Sequence, residues 1–301
     1  KGIVLDTDLS ITTSKITGRF SIRNPNYNYS GNSVTTTIES TSVDRSDEFG
    51  YQTDKAGIFL STFFEQYEDI YLAPEISVNY ESLQTDDKAS SAMKKQAGTF
   101  FDTYLSYSII RDKRDQKFNT TEGNRLMFTQ TVPVYSSSPN IVNGLDYSTY
   151  YPLKDSIIAS IKFYSRAINS LSASDDVRLS KRLHIPERRL RGFERGKIGP
   201  TDGGDYIGGN YASALSFNTA FPKLFSGLQN ADFSLFLDAG NVWGVDYDKK
   251  LDGANKIRSA FGLSATWHTV MGPLSFSLSQ ALSKTSTDVP ESFRFNLGTT
   301  F

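Results

Sequence analysis

Apolar and polar side chains alternate one by one along nearly the whole of this 301-residue chain. A period of two sends successive side chains to opposite faces of a strand, whereas a helix needs a period near 3.6. No segment shows the helical period. Ile3, Leu5, Leu9 and Ile11 stand on one parity against Asp6, Asp8 and Ser10, and Ile16, Phe20 and Ile22 stand against Lys15, Thr17, Arg19, Ser21 and Arg23. Asn24-Pro25-Asn26 then supplies turn chemistry. The pattern returns in Ile70, Leu72, Ile76, Val78 and Tyr80 against Glu75, Ser77, Asn79 and Glu81, and in Phe101, Leu105, Tyr107 and Ile109 against Asp102, Ser106 and Ser108. Further runs at 124–134, 143–152, 156–166, 208–221, 230–243, 256–268, 272–282 and 291–301, with weaker ones at 33–42 and 55–65, bring the prediction to roughly fourteen strands.

Alternation by itself also describes a soluble β-sandwich. The aromatic content argues for a different solution. Aromatic residues make up 13% of a chain whose mean hydropathy is only -0.38. Burying that many rings in so polar a chain requires every strand to have one greasy and one wet face. Tyr104, Tyr107, Tyr147, Tyr150, Tyr151, Phe163, Tyr164, Tyr211, Phe221 and Trp243 fall near predicted strand ends or middles, as membrane-interface girdles do. Phe293, Phe295, Leu297 and Phe301 share one parity, so the last strand carries an apolar face up to the final residue. The expected fold is all-β, a transmembrane antiparallel β-barrel. Helical membrane proteins are excluded, because no run approaches the ~18 to 20 apolar residues of a spanning helix.

Charge and composition exclude several functions. With 32 Lys+Arg against 33 Asp+Glu the net charge is -1, which disfavours a nucleic-acid partner. The chain has no cysteine, and its two histidines, His184 and His268, sit in no metal-ligand spacing. Neither a metal, a cofactor nor an enzyme's clustered nucleophilic site is expected, and both histidines read as structural.

The connections differ in character. Short links at 222–230 and 270–273 contrast with longer polar ones at 44–54, 82–97 and 167–206. The longest, 167–206, concentrates Arg178, Lys181, Arg182, Arg188, Arg189, Arg191, Arg195 and Lys197. Within it lies Leu190-Arg191-Gly192-Phe193, then Ile198-Gly199-Pro200, then Gly208-Gly209-Asn210 at the next strand start. Downstream come Leu237-Asp238-Ala239-Gly240-Asn241-Val242-Trp243 and Gly272-Pro273-Leu274. In this order the motifs resemble the barrel of the BamA-type outer-membrane protein assembly factors, whose sixth extracellular loop carries a Val-Arg-Gly-Phe/Tyr motif. Here Leu190 stands in place of the valine. The match in motifs covers about the last third of the chain; the first half resembles the family by strand pattern and by Asn24-Pro25.

The resemblance implies a barrel of about sixteen strands in the bacterial outer membrane, with about fourteen of them here and with POTRA domains and about two strands preceding Lys1. It implies that the 167–206 loop folds into the lumen. Parity turns Phe233, Leu235, Leu237 and Trp243 to lipid and Asp232, Ser234, Asp238 and Gly240 inward; in the strand before, Tyr211, Leu215, Phe217 and Phe221 face lipid and Ala212, Ala214, Ser216 and Asn218 face inward. Arg191 is then expected to meet Asp238 in a shielded pair, with Gly192 allowing close backbone approach and Phe193 packing on the alanine-lined wall. Asn218 aligns with a family glutamate, so the second contact of Arg191 is expected to be a hydrogen bond. Phe293, Phe295, Leu297, Gly298 and Phe301 correspond to the family's C-terminal seam strand and β-signal.

The function so implied is insertion of client β-barrel proteins into the outer membrane through a lateral seam, without ATP, in company with accessory lipoproteins and the bilayer. A TamA-like assembly factor, a two-partner secretion transporter and a passive porin are the alternatives. A fragment lacking the first strands is expected to form an open sheet or an imperfectly closed barrel.

Overall fold

The computed structural model describes residues 2–117, 119–154, 157–173, 176–222, 224, 231–253, 256–269 and 272–297. Fourteen strands form one antiparallel sheet in which every strand pairs with its neighbour along the chain. They are β1 (Val4–Ile11), β2 (Lys15–Asn24), β3 (Ser33–Arg45), β4 (Tyr51–Tyr67), β5 (Ile70–Thr85), β6 (Gly98–Asp112), β7 (Gly123–Ser136), β8 (Asn140–Lys154) and β9 (Ile157–Ser170), followed, after a two-stranded hairpin of β10 (Thr201–Asp202) and β11 (Asp205–Tyr206), by β12 (Tyr211–Phe221), β13 (Ala231–Trp243), β14 (Arg258–Thr269), β15 (Gly272–Ser283) and β16 (Phe293–Leu297). The hairpin lies inside the long loop, so β9 pairs directly with β12. Among the described residues no ladder joins β16 to β1. Among the described residues no helix is long and apolar enough to cross a membrane; α1 (Ser46–Phe49) and α2 (Ser91–Lys94) are single turns.

The sheet is built inside out relative to a soluble protein. Leu9, Ile38, Ile58, Leu105, Leu235, Phe261 and Leu263 stand exposed on its outer face. An apolar band this extensive, spread over neighbouring strands, needs lipid against it. The buried side chains of the inner face include Glu81, Asp102, Asp146, Ser216, Asp238 and Arg258. Among the described residues the apolar core lies where the long loop packs. Leu190, Phe193, Ile198 and Ile185 cluster on Tyr164, Ala212, Ala214, Val242 and Ala260 of the wall. A second cluster, above the rim, joins Leu179 and Ile207 of the loop to Phe49, Tyr51, Leu83, Met93 and Val245.

Three sequence expectations need correction. The 44–54 connection is not a long loop: β3 runs to Arg45, α1 fills Ser46–Phe49, and β4 starts at Tyr51 after Gly50 in the left-handed region at φ 70°. A glycine there lets one turn close the hairpin. The 82–97 connection is shorter than read, because β5 continues to Thr85. Tyr104 and Tyr164 are no part of an outer girdle. Both are buried, and they lie beneath the cations of Lys181 and of Arg166 and Arg189 respectively. Parity put them on the wet face, and the loop's cations give an aromatic ring a partner there.

Candidate functional site

Antiparallel pairing sets Ser216 of β12 beside Asp238 of β13, and Asn218 beside Phe236. Ser216 Oγ donates to Asp238 Oδ1 at 2.6 Å, and Asn218 Nδ2 donates to Ser216 Oγ at 3.0 Å. This polar row on the inner wall waits for a cation, and Arg191 supplies it. Its Nε donates to Asp238 Oδ2 at 2.7 Å and its Nη2 to Oδ1 at 2.7 Å, a two-pronged guanidinium–carboxylate fork. Its backbone N–H adds a bond to Oδ2 at 3.0 Å, and Nη2 also reaches Asn218 Oδ1 at 2.8 Å and Ser216 Oγ at 3.1 Å. The guanidinium carbon stands 3.6 Å from the Phe236 ring centroid. Asp238 is 0% exposed, so a carboxylate that would be costly to bury alone accepts four hydrogen bonds.

The neighbouring motif residues serve this docking. Gly192 has φ 90°, and a Cβ on it would lie 2.6 Å from Ala260 Cβ, so both backbone shape and space require glycine. Phe193 and Leu190 are buried in the loop–wall cluster. Gly199 presses on Val242, and Gly209 pairs with Leu183 through bonds of 2.7 and 3.0 Å. Thus Ile198-Gly199-Pro200 and Gly208-Gly209-Asn210 return the loop to the wall at the start of β12.

Arg191 is one of several loop cations that meet acids, some on the inner wall and others, Asp246 and Glu48, in neighbouring connections. Arg178 pairs with Glu81 at 3.1 Å and with Asp102, and its guanidinium lies 4.1 Å from the Phe100 ring. Arg182 pairs with Asp246, Arg189 with Asp146 at 2.7 Å, and Lys197 with Glu48 at 2.6 Å. Burial alone would raise the Asp246 carboxyl, but the Arg182 charge and the Val177 N–H hold it below the usual carboxylate range. Burial lowers the Lys181 ammonium to about 8, against the pull of Glu81. Buried edge-on to Phe49, His184 is lowered to about 4 by burial and then by the Arg45 charge.

Sequence reasoning did not single out Phe236, Glu81, Asp102, Asp146 or Asp246 as loop partners. Phe236 could have been found as the one large aromatic on the inward parity of its strand. The acids carry a weaker signal, since a carboxylate, whether inward on a strand as Glu81, Asp102 and Asp146 are or in a connection as Asp246 is, does not name its cation. On the seam side, Phe293 and Phe295 are outward and exposed, Phe295 packs on Phe276 with centroids 5.1 Å apart, and Leu297 pairs with Leu274. Gly298 and Phe301 lie outside the described residues. His268 sits on β14.

The Omp85 superfamily domain matches residues 2–301, effectively the entire chain. The chain belongs to the Omp85 superfamily. It is accordingly an integral outer-membrane β-barrel and not an enzyme. This Omp85 chain is 33% identical over 141 residues to the outer membrane protein assembly factor BamA of Neisseria meningitidis serogroup B, covering 37% of the chain and 17% of that protein. It is 22% identical over 256 residues to BamA of Neorickettsia risticii, covering 83% of the chain and 34% of the relative. The chain thus spans about a third or less of the length of these relatives. The crystal structure of BamA from Haemophilus ducreyi lacking POTRA domains 1-3 superposes with a TM-score of 0.85 at 21% identity, over 97% of this chain and 63% of that one. CdiB from Acinetobacter baumannii gives 0.56 at 12% identity, over 98% and 59%.

Proposed function

We propose that this Omp85 chain is the barrel of an outer-membrane protein assembly factor, which folds and inserts client β-barrel proteins through its seam with no nucleotide. The observation that carries the reading is the docked loop: a buried fork between Arg191 and Asp238, framed by Ser216, Asn218 and Phe236, that anchors the longest connection inside the lumen. Catalysis without ATP lowers a barrier, and an unpaired strand edge does so by templating the first hydrogen bonds of an incoming strand. Client barrels, accessory lipoproteins and the bilayer are the partners in this reading. The similarity to two proteins named outer membrane protein assembly factor BamA, at 33% and 22% identity, supports the assembly reading.

The test is complementation: the full-length protein replaces the host's own assembly factor, and folded client barrels in the outer membrane are counted. Wild type should restore client levels and Arg191→Ala should not. High ion conductance together with client levels indifferent to Arg191→Ala would overturn the reading in favour of a porin.

A further inference from the structure

Among the described residues the last strand pairs with β15 from Leu278↔Phe293 to Leu274↔Leu297. Its approach segment finds a second partner in the loop. Phe193 and Pro290 form an antiparallel bridge flanked by Glu194 N–H to Val289 O at 2.9 Å and Glu291 N–H to Gly192 O at 3.0 Å. Both bonds come from the neighbours of Pro290, so proline occupies the one rung where its missing N–H costs nothing. Below this bridge, Arg294 of β16 points into the lumen and is only 11% exposed. Its Nη2 donates to Phe193 O at 2.7 Å and its Nη1 to Glu187 O at 3.3 Å, while it pairs with the Glu291 carboxylate. One planar fork therefore spans the backbone of the loop on both sides of Arg191, a geometry that lysine's single ammonium cannot reproduce.

We propose that Arg294 is a positioning residue that joins the loop motif to the seam strand, so that the Arg191 lock acts on the seam by holding the approach to β16 in place. This rests on the assembly reading above for its biological meaning, but the tie itself is a property of this chain. The loop is anchored at one end of the motif to β13 by Arg191 and at the other to β16 by Arg294. Loss of either removes one of the two ties that hold the loop between β13 and β16.

The chain has no cysteine, so an introduced pair reports proximity without background. Glu194→Cys with Val289→Cys places one thiol on each side of the bridge, at a Cα separation of about 5.5 Å suited to a disulfide. In the full-length protein in its outer membrane, this pair should oxidise readily. Adding Arg294→Ala should slow oxidation about tenfold, as expected for losing charge-assisted bonds, and Arg294→Lys should fall between. In the assembly assay Arg294→Ala should lose client insertion, the formed disulfide should restore it, and a reductant should abolish it again. Should Arg294→Ala fail to reach the membrane folded, Arg294→Gln, which keeps one donor, is read in both assays instead. Unchanged oxidation in the Arg294 variants overturns the tie. Complete disulfide formation without restored insertion overturns its role at the seam. If the wild type itself inserts no clients, the assembly reading fails, while the oxidation rates still decide the tie.

Discussion

The two walls of the sheet make opposite use of the same alternating pattern. On β1 nearly every residue is exposed, inward Asp6 and Asp8 as much as outward Leu5 and Leu9. On β13 the outward Leu235 and Leu237 are exposed while inward Phe236 and Asp238 are buried. Both strands alternate, so alternation sorts residues between faces without deciding which face is dry. The inner face of β12 and β13 is dry because a loop from elsewhere in the chain lies on it. An inward charge on the bare wall is solvated and worth little; one beneath the loop must be paired, and breaking the pair is costly.

Arg191→Ala presses hardest on that contrast. It strands the fully buried Asp238 carboxylate, so the barrel in detergent should lose about 3 to 5 kcal/mol, measured by denaturant unfolding, and the loop should become open to protease. Next comes acid. His184 stays neutral in the folded protein down to about 4 and gains its proton near 6.5 when the loop is released, so stability should fall as pH drops from 6.5 to 4 and then level off with respect to this residue. The loss should reach about 3 kcal/mol in all, seen as loop proteolysis at pH 5 but not at pH 7, and His184→Leu should remove the pH dependence. Gly192→Ala follows, with a left-handed φ and a Cβ contact at 2.6 Å to relieve; about 2 kcal/mol is expected from the strain, read as a lower unfolding midpoint. At the far end of the scale, Arg19→Ala removes the exposed Arg19–Glu39 pair on the bare wall. Its cost should stay under about 1 kcal/mol. A cost for Arg19→Ala equal to that for Arg191→Ala would mean that the two walls do not differ as described.

Much of this was legible residue by residue. Parity on β12 and β13 placed Ser216, Asn218 and Asp238 inward and Leu235 and Leu237 outward, since strand geometry leaves a side chain only two choices. Asn24-Pro25-Asn26 located the turn between β2 and β3. Two errors, at 44–54 and 82–97, came from strands that run further than their apolar pattern; the others came where loop packing overrode local signals. Tyr104 and Tyr164 looked like membrane-interface aromatics until the loop's cations were seen above them, and Phe236 went unremarked although its ring forms the floor under Arg191.

The sequence by itself determined the strands, their two faces and the motif that a glycine and an arginine must share. Only the tertiary structure decided which acid each loop cation meets. Arg178 reaches Glu81 across a separation of 97 residues, and Arg294 reaches Phe193 across 101. Local periodicity carries no information over such distances; the partners are chosen by how the loop's apolar residues settle against the wall, and the charges pair with whatever that settling brings near.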